Sequence, residues 1–305
     1  MRVLVSRLSA LGDVVCTLPV AKAIKDKWPD SELVWVVDKR FRGILECAPS
    51  VDSIVERPRH PREVKNLGDF DAALDMQGLL KSSILVANAK TKVRLGYHWQ
   101  REGAALLSQA VVPDPSSIHI VDQYVDVARA LGADSDRADF NLRPLAEDLD
   151  SVRLKLEGKG VEKGGFVLMN AGAGWATKRW PAACFAHLAE RLQVAGTPVV
   201  FLGGPGDRPV FDEVRSHGAP NAVSMVGETS VRELVALVSL ASVHVGGDTG
   251  STHLAAALNV PAVGVYTLTR LERSCPYGQI QNCFEGRPEV DKVFEMTSKL
   301  VKGQK

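Results

Sequence analysis

The chain has 305 residues, 37 Lys and Arg against 36 Asp and Glu, a formal net charge of +1 and 45% hydrophobic residues. A charge this close to zero offers no global field to recruit nucleic acid, and no arginine-rich motif or zinc-knuckle spacing occurs, which excludes nucleic acid as a partner. No apolar run reaches the ~20 residues that span a bilayer, and MRVLVSRLSALGDVV lacks the long apolar stretch and cleavage site of a signal peptide, so the expectation is a cytoplasmic protein with membrane-surface contact left open.

Such a length suggests about two domains. Residues 2–8 read as a buried strand, Ser9 to Asp13 as a turn, and Val14 to Trp28 as an apolar-periodic helix ended by Pro29-Asp30. A strand at Leu33–Val37, a helix near Phe41–Cys47, strands near Ile54 and at Ala72–Asp75, and a helix at Lys81–Ala89 follow. The charged, poorly patterned stretch from Asn141 to Lys163 suits a linker and a leading helix, with a boundary near residue 150. The same grammar then restarts: a strand at Phe166–Asn170, a small-residue loop, a helix from Pro181 to Ala195, and a strand at Pro198–Leu202 ending in Gly203-Gly204-Pro205-Gly206-Asp207. Strands alternating with helices imply parallel sheets, giving an α/β fold of two Rossmann-like domains, 1–150 and 151–288. Ligands of such sheets bind at the carboxyl ends of the strands, so the loops at Gly12-Asp13, Lys178, Asp207 and Asp248–His253 should converge on a cleft between the domains.

The most informative stretch runs from Ser242 to Leu258: a strand, the turn Gly246-Gly247-Asp248-Thr249-Gly250, and a helix of small apolar residues carrying His253. Unpaired N–H groups and the helix dipole there favour an anion, whereas the plain reading is an ordinary N-cap. Lys178, before the helix at Pro181, sits against a helix dipole, a conflict that an anionic ligand removes; Arg179 is the competing cation. Asp207 stands where a carboxylate could accept from ribose hydroxyls, or simply closes its turn. Asp13 is either a helix cap or a general base, with Ser9 and Gly12 leaving a small polar loop beside it. Gln77 and Lys81 follow the strand ending at Asp75, and Arg57, Arg59, His60, Arg62 and Lys65 form a basic loop, either a solvated face or a seat for an acidic substrate. The glycines lack the GxGxxG spacing of a dinucleotide fold. Five scattered cysteines form no CxxC pair and read as reduced thiols; Cys275 and Cys283 raise a metal or redox question but have no matching second pair.

Five marks in this order, Ser9-x-x-Gly12-Asp13, Asp75-x-Gln77-Gly78-Leu79-x-Lys81-Ser82, Gly96 with Trp99, Gln100 and Glu102, Thr177-Lys178-Arg179-Trp180-Pro181, and Gly247-Asp248-Thr249-Gly250-x-x-His253-Leu254, resemble the bacterial lipopolysaccharide heptosyltransferases, glycosyltransferase family 9, over nearly the whole chain. The resemblance implies a GT-B fold, with a carboxyl-terminal helix at about 289–305 packing back on the first domain. It implies inverting, metal-independent transfer of heptose from ADP-heptose to Kdo of the inner core, with no cofactor beyond the donor, at the cytoplasmic face of the inner membrane. Asp13 and Lys178 are then catalytic. Thr177, Lys178, Asp207, Asp248, Thr249, Gly250 and His253 bind the donor. Ser9, Gly12, Arg57, Arg59, Arg62, Gln77 and Lys81 bind the anionic glycolipid acceptor. The marks around Gln77 and Trp99 look more like the enzyme adding the first heptose than the second. Two departures stand out: Thr267–Leu271 replaces the family's G-P-T-D-P loop, and Ala173 and Gly174 stand where hydroxyl side chains are usual. A relative using another nucleotide sugar or adding a later heptose, and a non-catalytic sugar- or lipid-binding module, remain alternatives.

Overall fold

The computed structural model describes residues 1–135, 138–161, 165–172 and 175–303. It forms two compact units, Met1–Leu142 and Arg143–Lys305, so the division falls earlier than residue 150.

The first unit runs β1 (Arg2–Ser6), α1 (Leu11–Lys27), β2 (Glu32–Val37), α2 (Arg42–Glu46), β3 (Ser53–Glu56), β4 (Ala72–Asp75), α3 (Leu80–Asn88), β5 (Val93–Tyr97), β6 (Gln109–Val111) and α4 (Ile120–Ala130). All six strands are parallel, in the order β3-β2-β1-β4-β5-β6. The central strands are continuous apolar runs because helices cover both sheet faces; Val3, Leu4, Val5 and Leu33 to Val37 are buried. Helix α1 starts a turn earlier than the periodicity suggests. Asp13 at its third position accepts the Ala10 N–H through Oδ2 (3.2 Å), which pulls Leu11 and Gly12 into the first turn.

The second unit runs α5 (Ala146–Glu157), β7 (Val167–Asn170), α6 (Ala182–Val194), β8 (Val199–Phe201), α7 (Arg208–Ser216), β9 (Val223–Ser224), α8 (Val231–Leu240), β10 (Val243–Gly246), α9 (Gly250–Ala257), β11 (Ala262–Tyr266), α10 (Leu271–Ser274), β12 (Cys283–Glu285) and α11 (Val290–Lys302). Its sheet, β12-β11-β10-β7-β8-β9, is also wholly parallel and repeats the first unit's strand order. Strand order reverses between β1 and β4 and again between β7 and β10, where neighbouring crossovers leave on opposite faces and open a crevice at the carboxyl end.

A carboxyl-terminal helix is present as α11, and it packs on α6, β10 and β11 of the second unit. Val293 enters the core beside Leu188 and Val245, Arg191 pairs with Asp291 and lies 4.2 Å from the Phe294 ring centroid, and Trp180 Nε1 donates to the Pro288 carbonyl (3.2 Å). The apolar stripe of α11 thus covers the face that β10 and α6 would otherwise expose to water. Among the described residues no helix is long and apolar enough to cross a membrane.

Val293→Asp places a carboxylate in a fully buried position. Burying an unpaired charge should destabilise the second unit by about 3 kcal/mol or more, lowering its melting temperature by roughly 6–12 °C. Differential scanning calorimetry showing an unshifted transition would contradict this packing.

Candidate active site

The second unit's switch point gathers polar groups around Asp248, which follows β10. Gly247 permits this approach: a Cβ there would lie 3.3 Å from the Val265 carbonyl oxygen and 3.4 Å from that of Lys178. Asp248 Oδ2 accepts from Lys178 Nζ (2.7 Å) and from the Thr269 hydroxyl (2.8 Å), while Oδ1 faces His253 Nε2 at 3.7 Å. Burial by itself pushes the Asp248 carboxyl up, but hydrogen bonds from His253, Lys178 and Thr269 outweigh it and hold the group well below the usual carboxylate range. The short turn Ala176–Lys178 that carries the lysine is pinned from the other side, where the Thr267 hydroxyl donates to the Thr177 carbonyl (2.9 Å).

Helix α9 begins at Gly250 with Thr249 as its cap residue, and among the described residues the Gly250 and Ser251 N–H groups donate to no protein acceptor. Below them runs a buried polar chain. His244 Nε2 lies 3.0 Å from Ser251 Oγ, Asn170 Nδ2 donates to the same oxygen (2.9 Å), Thr249 Oγ1 lies 3.0 Å from Ser251 Oγ and 3.2 Å from Thr252 Oγ1, and the Thr252 hydroxyl donates to the Gly247 carbonyl (2.7 Å). Asp207 closes its own turn by accepting the Gly204 N–H at Oδ2 (2.8 Å), and Oδ1 crowds Gly172, where a Cβ would come within 2.6 Å. Ala173 and Gly174 lie outside the described residues. Burial pushes the Cys275 and Cys283 thiols up to about 11 and about 12, which keeps both protonated and poor metal ligands.

In the first unit, Asp13 Oδ2 is tied by Ala10 N–H and by the Arg7 guanidinium (Nη2, 2.8 Å), while no hydrogen bond among the described residues engages Oδ1. Arg7 is buried, donates to the Met76 carbonyl and lies 5.3 Å from the Tyr124 ring centroid. The loops after β1 and β4 are knitted together: Leu8 N–H donates to Gln77 Oε1 (3.0 Å), Gln77 Nε2 to Ser9 Oγ (3.3 Å), and Asp75 Oδ1 accepts the Gln77 and Gly78 N–H groups (3.1 and 3.0 Å). Beside them a cleft of about 370 Å³ is lined by Arg57, Arg59, Lys81, Leu80 and Glu102, among others. Glu102 accepts the Leu80 N–H at the start of α3 (3.3 Å).

A carboxylate with one tethered and one open oxygen can take a proton. A lysine beside unpaired helix amides can neutralise an anion. A family model, glycosyltransferase family 9 (heptosyltransferase), matches residues 58–302, a range that holds Lys178 and the start of α9. The chain belongs to glycosyltransferase family 9. It is a glycosyltransferase, and it is similar to the Haemophilus influenzae lipopolysaccharide core heptosyltransferase OpsX (25% identical, covering 90% of this chain and 82% of that one). It is also similar to the Pseudomonas aeruginosa lipopolysaccharide heptosyltransferase 1 (29% identical, 92% and 82%). The solved structure of the E. coli heptosyltransferase WaaC with ADP shares the GT-B class of fold, with a TM-score of 0.78, 23% identity and full coverage of both chains.

Within this glycosyltransferase, Lys178, Asp248 and His253 come together, with Thr249 and Gly250 at the adjoining helix start and Thr177 in the pinned turn. Ser9, Gly12, Asp13 and Gln77 share one loop cluster, and Arg57, Arg59 and Lys81 share the basic cleft. Arg62 lies in the turn Pro61–Leu67, exposed, and is not one of the residues lining that cleft. Sequence reasoning missed three participants, Arg7, Thr269 and His244, and did not foresee the hydrogen bonds of the Ser251 side chain. The loop Thr267–Leu271 does take part, with hydroxyls on Thr267 and Thr269 supplying contacts to the Lys178 turn and to Asp248.

Burial holds His244 down to about 3, from an ordinary 6.5. The unfolded chain therefore takes up a proton on this ring below about pH 6.5 while the folded one does not. Stability is complete above that pH and falls by about 1.4 kcal/mol per pH unit as acid is added, down toward pH 3. His244→Val should remove this contribution, so the loss of unfolding free energy between pH 6.5 and 4.5, measured by urea denaturation, should be shallower in the variant. Equal slopes would place the proton uptake elsewhere.

Proposed function

We propose that this protein transfers heptose from ADP-heptose to a hydroxyl of Kdo on the lipid A precursor of the lipopolysaccharide inner core, in one inverting displacement without a metal ion. What carries the reading is the combination of an Asp13 carboxylate whose Oδ2 is anchored and whose Oδ1 is open with a Lys178 ammonium held at the start of α9. The names of the similar proteins supply the sugar class, and the ADP of the E. coli structure supplies the nucleotide.

On this reading Asp13 Oδ1 takes the acceptor hydroxyl's proton as that oxygen attacks the anomeric carbon, on the face opposite the leaving group. The bond from carbon to the diphosphate oxygen breaks, and its electron pair leaves with ADP. Arg7 holds Asp13 by Oδ2 and so leaves Oδ1 aimed at the acceptor. Negative charge grows on the diphosphate, where Lys178 and the Gly250 and Ser251 N–H groups oppose it. An ammonium has three donors, so Lys178 can keep Asp248 and still engage the diphosphate. Asp207 would accept from the ribose, and His253 with Thr249 would border the donor. Arg57, Arg59 and Lys81, with Arg62 nearby, would hold the acceptor's anionic groups, with Ser9, Gly12 and Gln77 lining the approach to Asp13. Contact with the cytoplasmic face of the inner membrane belongs to this reading, because the acceptor carries a lipid.

Coupled detection of ADP release, with ADP-heptose and a Kdo-bearing acceptor, tests the assignment directly; no release would overturn it. Asp13→Ala should lower turnover by ~10²-fold or more while the donor dissociation constant changes little. Near-normal turnover would remove Asp13 from the chemistry. Lys178→Ala should weaken donor binding by ~10-fold or more, since it deletes a charge-assisted contact to phosphate and leaves Asp248 without its cation. An unchanged dissociation constant by calorimetry would contradict that role.

A further inference from the structure

The basic cleft of the first unit has an apolar border that the proposed chemistry does not use. The loop from His98 to Ser108 is folded on itself by a hydrogen bond from Gln100 Nε2 to Ser108 Oγ (2.9 Å), and it is fastened to the start of α3 by Arg101 N–H donating to the Gly78 carbonyl (2.8 Å). This fixed loop carries Trp99, 53% exposed, and Leu106, 90% exposed, and Leu106 belongs to a short turn lying against α3. Leu80, 42% exposed, reaches the same border from the first turn of α3. Single exposed apolar residues are ordinary, but Leu80 lines the cleft whose cations are Arg57, Arg59 and Lys81, and Trp99 and Leu106 sit on the same fixed loop as Glu102, which also lines it, so apolar and basic side chains share this edge of a chain of net charge +1. The Arg101 guanidinium lies 5.6 Å from the Trp99 ring centroid, a pairing of aromatic body with cationic tip that suits the boundary between acyl chains and charged headgroups.

We infer that the border formed by Trp99, Leu106 and Leu80, flanked by Arg57, Arg59, Lys81 and Arg101, is a docking surface for an anionic lipid bilayer. It deepens the proposed function, on which it rests for the lipid-bearing acceptor, by naming the residues and the headgroup charge of the contact. Charge complementarity selects this occupant. Three exposed cations, Arg57, Arg59 and Lys81, line the cleft against one carboxylate, Glu102, whose Oε2 is engaged by the Leu80 N–H, and exposed Arg101 lies next to Glu102 in the chain. Attraction to anionic headgroups raises the local concentration at the surface, and the apolar side chains then enter the interface by a few ångströms, with affinity shared between the two contributions. A substrate anchored in that bilayer would present its phosphorylated headgroup to the same cleft.

Flotation of the full chain with vesicles of phosphatidylcholine alone, or with 30% phosphatidylglycerol, tests the proposal together with a transfer assay on an acceptor lacking acyl chains. Wild type should float with the anionic vesicles, not with the neutral ones, and 0.5 M salt should release it. The double variant Trp99→Ser, Leu106→Ser changes only exposed side chains, so it should fold normally, lose vesicle binding by ~10-fold or more and keep wild-type turnover on the acyl-free acceptor. Undiminished binding by the double variant, absence of wild-type binding to anionic vesicles, or equal binding to neutral ones would each overturn the assignment. Loss of turnover on the acyl-free acceptor would also overturn it, since the residues would then belong to the acceptor site. So would a wild-type dimer that the substitutions split, because the surface would serve a second copy. If no chain releases ADP while vesicle binding depends on Trp99 and Leu106, the docking surface stands and the transferase reading fails.

Discussion

Reversal of strand order within a parallel sheet is the constraint on which both candidate sites depend. Where β1 and β4, or β7 and β10, lie side by side, their following helices leave toward opposite faces, so the backbone beyond each strand end has no neighbour to fill the gap. The register makes the equivalence concrete. Ser6 sits opposite Asp75 in the first unit, and Asn170 opposite Gly246 in the second. In both units a polar side chain at that level turns back to satisfy loop amides: Asp75 accepts from Gln77 and Gly78, and Asn170 accepts from Gly172 (2.9 Å). The same topology thus produces two loop scaffolds, and the residues set on them decide that one presents a carboxylate open at one oxygen and the other a helix start with two unpaired N–H groups.

Charge is handled differently in the two scaffolds. Asp248 is mostly withdrawn from water, and a carboxylate so placed must be matched by donors or become neutral. Lys178, Thr269 and His253 supply the match, which makes the lysine's position a consequence of the carboxylate's burial. In the first unit the buried partner is the cation. Arg7 is enclosed by Met76 and Tyr124, and Asp13, about half exposed, reaches back to it with one oxygen. The result is a carboxylate fixed by its inner edge with its outer edge in solvent, whereas Asp248 is fixed by both edges and serves as a support.

Strand and helix periodicity made β1, α1, β2, β4, β7, α6 and β8 legible, because each has a long buried face. Strands β5 and β6 escaped notice for the opposite reason: β6 is three residues at a sheet edge with little burial, and β5 is only partly buried. The motif residues from Asp248 to His253 were legible as a strand, turn and helix start, and the structure adds their partners. Thr269 could not be foreseen from spacing, since it reaches Asp248 only because β11 lies next to β10. Arg7 sits within the apolar run at residues 2–8. A buried arginine needs a carboxylate and carbonyls close by, and a sequence cannot show that Asp13 and Met76 meet it. Helix α11 was expected from the resemblance alone, and its packing on α6 and β10 was not legible in the sequence.

The buried chain beneath α9 bears on how the anion seat keeps its shape. Among the described residues His244 Nδ1 has no hydrogen-bond partner, so placing the ring hydrogen on Nε2 leaves only a lone pair unmet, whereas the other tautomer would strand an N–H. With Nε2 and Asn170 both donating to Ser251 Oγ, the Ser251 hydrogen must point to Thr249, that of Thr249 to Thr252, and that of Thr252 to the Gly247 carbonyl, where the donor is unambiguous. Each hydroxyl hydrogen is consumed inside the protein. The Thr249 and Ser251 side chains therefore have none left to offer a ligand, and recognition at this helix start falls to backbone N–H groups whose directions the buried chain has already fixed. Under the proposed function such donors need no reorientation as charge develops on a leaving diphosphate, and that is the property an electrostatic site requires to favour a transition state over a ground state.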